Sequence, residues 1–286
     1  MAPGVLTYRH GAWRWYCRAT TRFRVQPTFL ILGAQRCGTM FLYECLRAQP
    51  GVMGAREKEV HFFDLEFHRG LGWYRSHFPA SAAVRARAAA GTSPVAVGEA
   101  SPYYLFHPDV PRRVERCLPE ARFVVLVRDP VDRAYSHYRH ERALGHEQLV
   151  FEEALEAEER RLAGEEQRLL TDERYVSFAH RHFSYFSRGH YAVQLRRWFE
   201  RFPRDRFMVI ASEALFSDPQ GTVRRVLRFV GAQPTDVRLP EPRPAAAGPP
   251  LPEGTRDALS RRYREANADL VRLVDTVDPA VGWIPR

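Results

Sequence analysis

The fold of this chain is decided by residues 29–39, which read Phe-Leu-Ile-Leu-Gly-Ala-Gln-Arg-Cys-Gly-Thr. The first four residues form an apolar run typical of a buried strand, and two glycines bound a short loop whose single cation is Arg36. When a helix follows such a loop, backbone N–H groups and the helix dipole favour an anion at the same point. The sequence therefore predicts a phosphate-binding loop between a strand at 28–33 and a helix at 39–48.

The loop differs from the one that binds nucleoside triphosphates, G-x-x-x-x-G-K-[ST]. Gly33 and Gly38 have the required spacing, but Thr39 stands at the position of the lysine and Met40 at that of the Mg²⁺-binding hydroxyl. A loop without this lysine and this metal ligand is poorly suited to a β,γ-triphosphate. With Arg36 as the charge, it can still hold a single phosphate group.

The charge balance indicates acidic partners. The formal net charge is +9, and Lys58 is the only lysine, so arginine carries nearly all the positive charge. Such a balance favours a nucleotide, a sulfated or phosphorylated substrate, nucleic acid or a membrane surface. The alternative explanation is the arginine-rich composition of a GC-rich, bacterial genome.

The cysteine pattern and the apolar runs favour a cytoplasmic protein. The cysteines show neither metal-ligand spacing nor a pairing pattern; they are Cys17, Cys37, Cys45 and Cys117. No apolar run approaches the roughly 18 residues of a membrane span, so no integral membrane segment is predicted. Residues 1–24 are aromatic and basic and lack the apolar core of a signal peptide; we expect them to pack on the protein.

Alternating strand and helix patterns predict an α/β fold, a central parallel sheet flanked by helices on both faces. Further strands are expected near 59–63, from Val95, at 122–128 and at 207–210. Helices are expected at 130–144, 151–163, 189–201, 219–230 and 255–276.

The domain organisation is predicted to be simple. No repeat or credible linker divides the chain, so residues 1–26 are interpreted as an N-terminal arm and residues 27–286 as one domain. Residues 240–254 are rich in Pro, Ala and Gly and are expected to form a mobile loop near the site.

Two further segments carry candidate chemistry. Residues 58–64 read Lys-Glu-Val-His-Phe-Phe-Asp and place an acid, a base and the single lysine together. If this segment is extended, Glu59 and His61 share one face and suit general-base work; a solvated surface strand is the alternative. Residues 128–138 follow a central strand, where α/β sheets bind ligands, and Arg128 with Ser136 can clamp a second phosphate. A salt bridge at the strand end is the alternative there.

Together these segments resemble the sulfotransferases that use 3′-phosphoadenosine-5′-phosphosulfate (PAPS), in the branch similar to heparan-sulfate and bacterial carbohydrate sulfotransferases. Residues 33–39 look like the 5′-phosphosulfate loop of that family, residues 58–64 like its catalytic strand, and residues 128–138 like its 3′-phosphate motif. Residues 99–104 and 188–191 resemble further family segments. The resemblance implies a P-loop-like sulfotransferase fold.

The resemblance also implies roles. Arg36, Gly38 and Thr39 would hold the 5′-phosphosulfate, and Arg128 and Ser136 the 3′-phosphate. The other positions expected to bind the cofactor are Gln35, Cys37, Met40, Arg188 and Tyr191.

In the catalytic strand, Glu59 would take the proton of the acceptor hydroxyl or amine, with His61 assisting or replacing it and Lys58 as a nearby cation. The acceptor attacks sulfur in line, and adenosine 3′,5′-bisphosphate (PAP) leaves. The family usually has lysine at position 36, so Arg36 puts the rate, more than the reaction, in question.

No metal is predicted, because no clustered His/Cys/Asp ligand set is found and the cations can neutralise the phosphates. The expected partner is a small-molecule or glycan acceptor, with carbohydrate favoured by the family branch; no nucleic-acid partner is expected, and the oligomeric state cannot be read. The basic run at 180–182 is expected to be a solvated helix face, with contact to an anionic acceptor as the alternative.

Two other functions compete. A P-loop kinase would need the missing lysine and a Mg²⁺-binding acid, and would prefer Mg-ATP to PAP. A non-catalytic nucleic-acid-binding protein would need a basic stripe with interleaved aromatics, whereas the arginines here are scattered among acids.

Overall fold

A computed structural model describes residues 17, 19–92, 94–242 and 249–274. In this part of the chain, five parallel strands form one sheet in the order β2-β3-β1-β4-β5. The strands are β1 (Phe29–Gly33), β2 (Val52–Gly54), β3 (Ala96–Ala100), β4 (Arg122–Val127) and β5 (Phe207–Ala211).

Strand β1 lies at the centre of the sheet, as its apolar sequence predicts. All five of its residues are buried, which is the pattern of a parallel strand covered on both faces. It pairs with β3 through Leu30 and Glu99 and with β4 through Leu30 and Phe123. The chain therefore builds outward from β1 in both directions, and the carboxyl ends of β1, β3 and β4 border one crevice, the usual ligand position of open α/β sheets.

Helices flank the sheet, which confirms the predicted fold class. They span Thr39–Arg47, Gly70–Arg75, Ser81–Arg87, Val110–Cys117, Pro130–Ala143, Phe151–Leu162, Glu165–Thr171, Phe178–His182, Tyr191–Phe199, Ser212–Ser217, Pro219–Val230 and Glu253–Val274. Among the described residues, none of these helices is both long and apolar enough to cross a membrane.

Two apolar clusters hold the layers together. The larger surrounds the sheet and includes Trp198, which packs its ring 5.1 Å from that of Phe123. The smaller joins the helix Pro130–Ala143 to the helices Phe151–Leu162 and Glu253–Val274. This second cluster fixes the helix that follows β4, on the side where the crevice opens.

The prediction of a strand near 59–63 is wrong. Glu59 and His61 have positive φ angles of 56° and 52°, and Phe62 and Phe63 are both buried, which an alternating strand does not allow. The segment is a loop, because its backbone bonds to side chains and not to a neighbouring strand: Phe62 N–H donates to the Tyr104 hydroxyl at 2.9 Å. The short strand of this region is β2 instead.

Several predictions fall partly on residues that the structure does not describe. Residues 1–16, 243–248 and 275–286 lie outside the described residues. The packing of most of the N-terminal arm, the core of the 240–254 loop, the end of the helix expected at 255–276 and the domain bounds at 26 and 286 therefore stay predictions. Within the described part, Arg24 Nη1 donates to the Phe78 carbonyl at 2.6 Å and Val25 N–H to that of Pro79 at 3.1 Å. The chain before β1 is thereby attached to the segment at 78–80.

Gly98 gives a test of the sheet packing. A Cβ at this position would lie 2.3 Å from the Phe29 ring, so we expect Gly98→Ala to lower the free energy of unfolding by about 1–3 kcal/mol, the usual cost of overpacking. Denaturant unfolding measures the change. Gly254→Ala is the matched control, because nothing lies within 4 Å of its added methyl group; equal stability of the two variants would contradict the packing described here.

Candidate active site

A cavity of about 870 Å³ opens at the carboxyl ends of the strands. Segments that follow each of the five strands line it, together with Arg181 and Arg188. The lining includes these residues predicted from the sequence: Gln35, Arg36, Gly38, Thr39, Met40, Lys58, Glu59, His61, Arg128, Ser136 and Arg188.

The loop after β1 turns sharply into the helix Thr39–Arg47. Arg36 and Gly38 have φ angles of 70° and 88°, the left-handed region that favours glycine. A Cβ on Gly38 would also come within 3.1 Å of the Phe216 ring. Arg36 Nε donates to Ser136 Oγ at 3.1 Å, so the loop and the helix after β4, 100 residues apart in sequence, meet inside the cavity.

Two residues predicted to bind the cofactor lie behind the loop and do not line the cavity. Cys37 and Tyr191 are buried, and the Tyr191 hydroxyl donates to the Arg128 carbonyl at 3.1 Å and lies 3.8 Å from Cys37 Sγ. Ser212 Oγ donates to the Cys37 carbonyl at 2.7 Å. These contacts hold the loop and the end of β4 in place.

Arg188 combines burial with a place in the cavity wall. Its side chain donates to Gln35, to Ser184 Oγ at 2.7 Å and to the Arg181 carbonyl at 2.6 Å. Its guanidinium carbon lies 4.9 Å from the ring centroid of Tyr103. Burial lowers the pKa of Arg188 to about 9, and neutral acceptors, not a carboxylate, satisfy its donors.

The segment 58–64 forms a chain of charges at the cavity. Lys58 Nζ contacts Glu59 Oε1, and His61 Nε2 lies 3.4 Å from Glu59 Oε2. On its other side, His61 Nδ1 bonds to buried Asp64 Oδ2 at 2.7 Å. The two positive φ angles let Glu59 and His61 meet although the segment is not extended.

These contacts set the charges of both side chains. Burial alone would lower the pKa of His61, but Asp64 and then Glu59 raise it to about 10. Burial alone would raise the pKa of Glu59, but the bond to His61 and the charge of Lys58 lower it to about 2. At neutral pH, therefore, His61 is a cation and Glu59 an anion.

A polar layer supports this segment from below. Buried Glu99 accepts from the hydroxyls of Tyr74, Tyr104 and Ser101 at 2.7, 3.0 and 3.0 Å. Ser101 Oγ in turn accepts from the His61 N–H at 3.3 Å. The segment 99–104, singled out in the sequence, thus positions the backbone that carries His61.

Positive charge is crowded in the cavity. Arg36, Lys58, Arg128, Arg181 and Arg188 line it. Burial, and then the neighbouring charge of Arg128, lower the pKa of Arg36. Repulsion of this kind is relieved when an anion binds between the cations, so the electrostatics favour a ligand with more than one negative group.

Sequence reasoning missed other lining residues and misjudged one cluster. Ser212 and Glu213 line the cavity because they follow the end of β5. Their position could have indicated this, since ligands bind at the carboxyl ends of parallel strands. The solvated face expected at 180–182 is wrong: His180 is buried and its Nδ1 bonds to the Tyr103 hydroxyl at 2.7 Å. Arg181 lines the cavity.

The His61 charge is directly testable by NMR titration. We expect the His61 imidazole to keep its proton up to about pH 10 and to lose it at lower pH in Asp64→Asn, which removes the main favourable charge. Glu57→Gln, at an exposed carboxylate of the same region, is the control and should not move the midpoint. His107 should be neutral at pH 7, because burial lowers its pKa to about 4.

The linked stability has a definite sign. The folded pKa of His61 lies above the ordinary value of 6.5. Protonated His61 therefore contributes fully to the free energy of unfolding below pH 6.5, and this contribution is lost as pH rises through about 10. A His61 midpoint near 6.5 in the unmodified protein would contradict this charge assignment.

Comparison with known proteins agrees with this geometry. Residues 26–242 match the model of the sulfotransferase domain family. Heparan sulfate glucosamine 3-O-sulfotransferase 6 of Homo sapiens is 33% identical over 213 residues, which are 72% of this chain and 52% of that protein. Bifunctional heparan sulfate N-deacetylase/N-sulfotransferase 3 of Homo sapiens is 28% identical, and the match covers 90% of this chain and 31% of that protein.

A solved structure is similar over nearly its whole length. A sulfotransferase from Alicyclobacillus acidocaldarius superposes with a TM-score of 0.63 at 29% identity, covering 87% of this chain and 96% of that one. By contrast, the chain spans about half the length, or less, of the two curated relatives. The family match covers most of the chain and confirms the resemblance of its motifs: this chain belongs to the sulfotransferase family of enzymes.

Proposed function

We propose that this chain transfers a sulfuryl group from PAPS to a hydroxyl or amine of a carbohydrate or glycoconjugate, with Glu59 as the general base. The observation that carries the proposal is the convergence of Arg36, Glu59, Arg128 and Ser136 on one cavity. An acid that can accept a proton thereby lies in the same space as two arginines that can hold phosphates.

The donor fits the distribution of charge. Arg36 and the start of the helix Thr39–Arg47 offer a cation and backbone N–H groups to the 5′-phosphosulfate. Arg128 and Ser136 offer a fork of N–H donors and a hydroxyl to the 3′-phosphate. The contact between Arg36 and Ser136 keeps the two phosphate positions close, as a bisphosphorylated nucleoside requires.

The choice of base follows from the charges. His61 holds its proton through neutral pH, so it cannot accept the acceptor proton there and instead orients Glu59. Glu59 is ionised, and more than a third of its side chain is exposed to the cavity. The pKa of Glu59 in the free enzyme is low because His61 bonds to it and Lys58 contacts it. Movement of Lys58 toward the bound sulfonate would raise that pKa as the reaction begins.

The bond changes balance without an acid. The acceptor oxygen or nitrogen forms a bond to sulfur, its proton passes to Glu59, and the bond from sulfur to the phosphate oxygen of PAP breaks. The leaving phosphate has a low proton affinity, so the charge of Arg36 suffices to stabilise it. Arginine at this position supplies that charge as the usual lysine of the family does.

A neighbouring cavity suits the acceptor. It has a volume of about 1040 Å³ and shares Met40 and Lys58 with the first cavity. Its wall also carries Arg47, Arg238 and Glu241, a mixture of charges suited to a hydrophilic or acidic sugar chain. Both curated relatives are named for heparan sulfate, and one name specifies its glucosamine; these names support an amino-sugar glycan as the first acceptor to test.

Binding of PAP tests the donor site. PAP should raise the unfolding temperature while Mg-ATP does not, because the loop lacks the lysine and metal ligand of an ATP site. Arg128→Ala should weaken PAP by about 10- to 150-fold, the loss expected for a charged hydrogen bond, whereas Arg47→Ala in the neighbouring cavity should not.

Two results would overturn the donor assignment. A preference for Mg-ATP would favour the kinase alternative. Salt-dependent binding of generic DNA without any response to PAP would favour a nucleic-acid-binding protein.

Replacement of the base tests the chemistry. Glu59→Gln should lower turnover of labelled PAPS with a glucosamine glycan about 10²- to 10⁴-fold, the usual contribution of a general base, with PAP affinity nearly unchanged. Glu57→Gln is the exposed control. Undiminished turnover in Glu59→Gln would remove Glu59 from this role.

A further inference from the structure

A cluster of imidazoles lies outside the cavity, around one carboxylate. We name it the histidine cluster; it consists of His137, Glu141, His146 and His182. No clustered ligand set is evident in the sequence, because His182 is 41 residues from Glu141 along the chain.

The imidazoles converge on Glu141 at bonding distance. His146 Nδ1 lies 2.8 Å and His182 Nδ1 2.9 Å from the same oxygen, Oε2. Their ring centroids are 4.7 Å apart. One nitrogen of His146, one of His182 and one oxygen of Glu141 all lie within 4.8 Å of one another, and Glu141 itself is buried.

His137 supplies an independent observation. Its side chain is completely buried, and neither ring nitrogen has a hydrogen-bond partner among the described residues. Its Nε2 faces Glu141 Oε1 at 3.4 Å. A buried polar group without a partner is costly and calls for an explanation; a ligand bound between His137 and the carboxylate would provide one.

Local structure explains why the four side chains meet. His137 and Glu141 are one turn apart on the helix Pro130–Ala143 and so share a face. Gly145, with a φ of 78°, turns the chain back, and His146 N–H donates to the Glu141 carbonyl at 3.0 Å. The Phe178 ring covers the His182 ring, with centroids 4.3 Å apart.

We propose that the histidine cluster is a binding site for a divalent transition metal of the Zn²⁺ class. His146 Nδ1, His182 Nδ1 and Glu141 are three ligands, and His137 Nε2, which faces the other oxygen of Glu141, is the candidate for the fourth. Imidazole and carboxylate are preferred zinc ligands, and a tetrahedral site with bonds of about 2.1 Å places ligand atoms roughly 3.4 Å apart. The protons that the two Nδ1 atoms now share with the carboxylate move to Nε2 or to solvent when the metal binds.

The position of the site indicates a structural role. The helix Pro130–Ala143 also carries Ser136, and the helix Phe178–His182 provides the His180 carbonyl that accepts from Arg188 Nη2 at 3.1 Å. A metal would join these two helices behind the cavity wall. It would therefore fix the wall without taking part in bond making.

Metal titration tests the proposal without any measurement of sulfuryl transfer. The full chain is treated with a chelator, and Zn²⁺ binding is followed by calorimetry and by the unfolding temperature. We expect one Zn²⁺ per chain, a higher unfolding temperature, and with Co²⁺ the strong visible absorption of a tetrahedral site. His146→Ala and His182→Ala should each lose this binding, while His68→Ala, at an exposed histidine elsewhere, should retain it.

The outcome is decisive in each case. Absence of Zn²⁺ binding to the unmodified chain, or binding that both cluster variants retain, would overturn the proposal. If His182→Ala fails to fold, His146→Ala decides alone, since His146 lies on a loop and is a third exposed.

Discussion

The shape of the loop after β1 depends on three distant side chains that hold it from behind. Ser212 donates to the Cys37 carbonyl, and Arg188 donates to Gln35. Tyr191 donates to the carbonyl that follows β4 and contacts the Cys37 thiol. An irregular loop with left-handed residues would otherwise sample many conformations, and its N–H groups would not point to one place. The helices after residue 187 and after β5 are therefore as necessary to the site as the loop itself.

The same region shows how the protein tolerates crowded positive charge. Arg188 is buried, and within the described part of the chain backbone carbonyls and aromatic faces take the place of a carboxylate counter-ion. Arg36 and Arg128 line the same cavity, and the charge of Arg128 adds to burial in lowering the pKa of Arg36. Such an arrangement lowers the stability of the free protein, as is common at functional sites.

Much of the site could be predicted from the sequence because its signals are local. The run at 29–39 predicts a strand, a loop and the start of a helix. The apolar run before Arg128 likewise predicts a strand that ends at this residue. Features that depend on residues distant in sequence could not be predicted. Nothing in the sequence near Cys37 or Tyr191 indicates that their side chains lie beneath the loop. The segment at 59–63 looks like a strand by alternation, yet Tyr104 and Ser101 draw its backbone into a loop. His180 looks solvated until Tyr103 is placed beside it.

The paired arginines of the cavity have a kinetic consequence under the proposed function. They would hold phosphate groups that PAPS and PAP have in common, and so would discriminate little between the incoming donor and the spent nucleotide. Tight binding of PAPS then implies slow dissociation of PAP. Release of PAP, and not the transfer at sulfur, would therefore limit the rate of the catalytic cycle. Because the grip is ionic, dissolved salt would loosen it and hasten that exit.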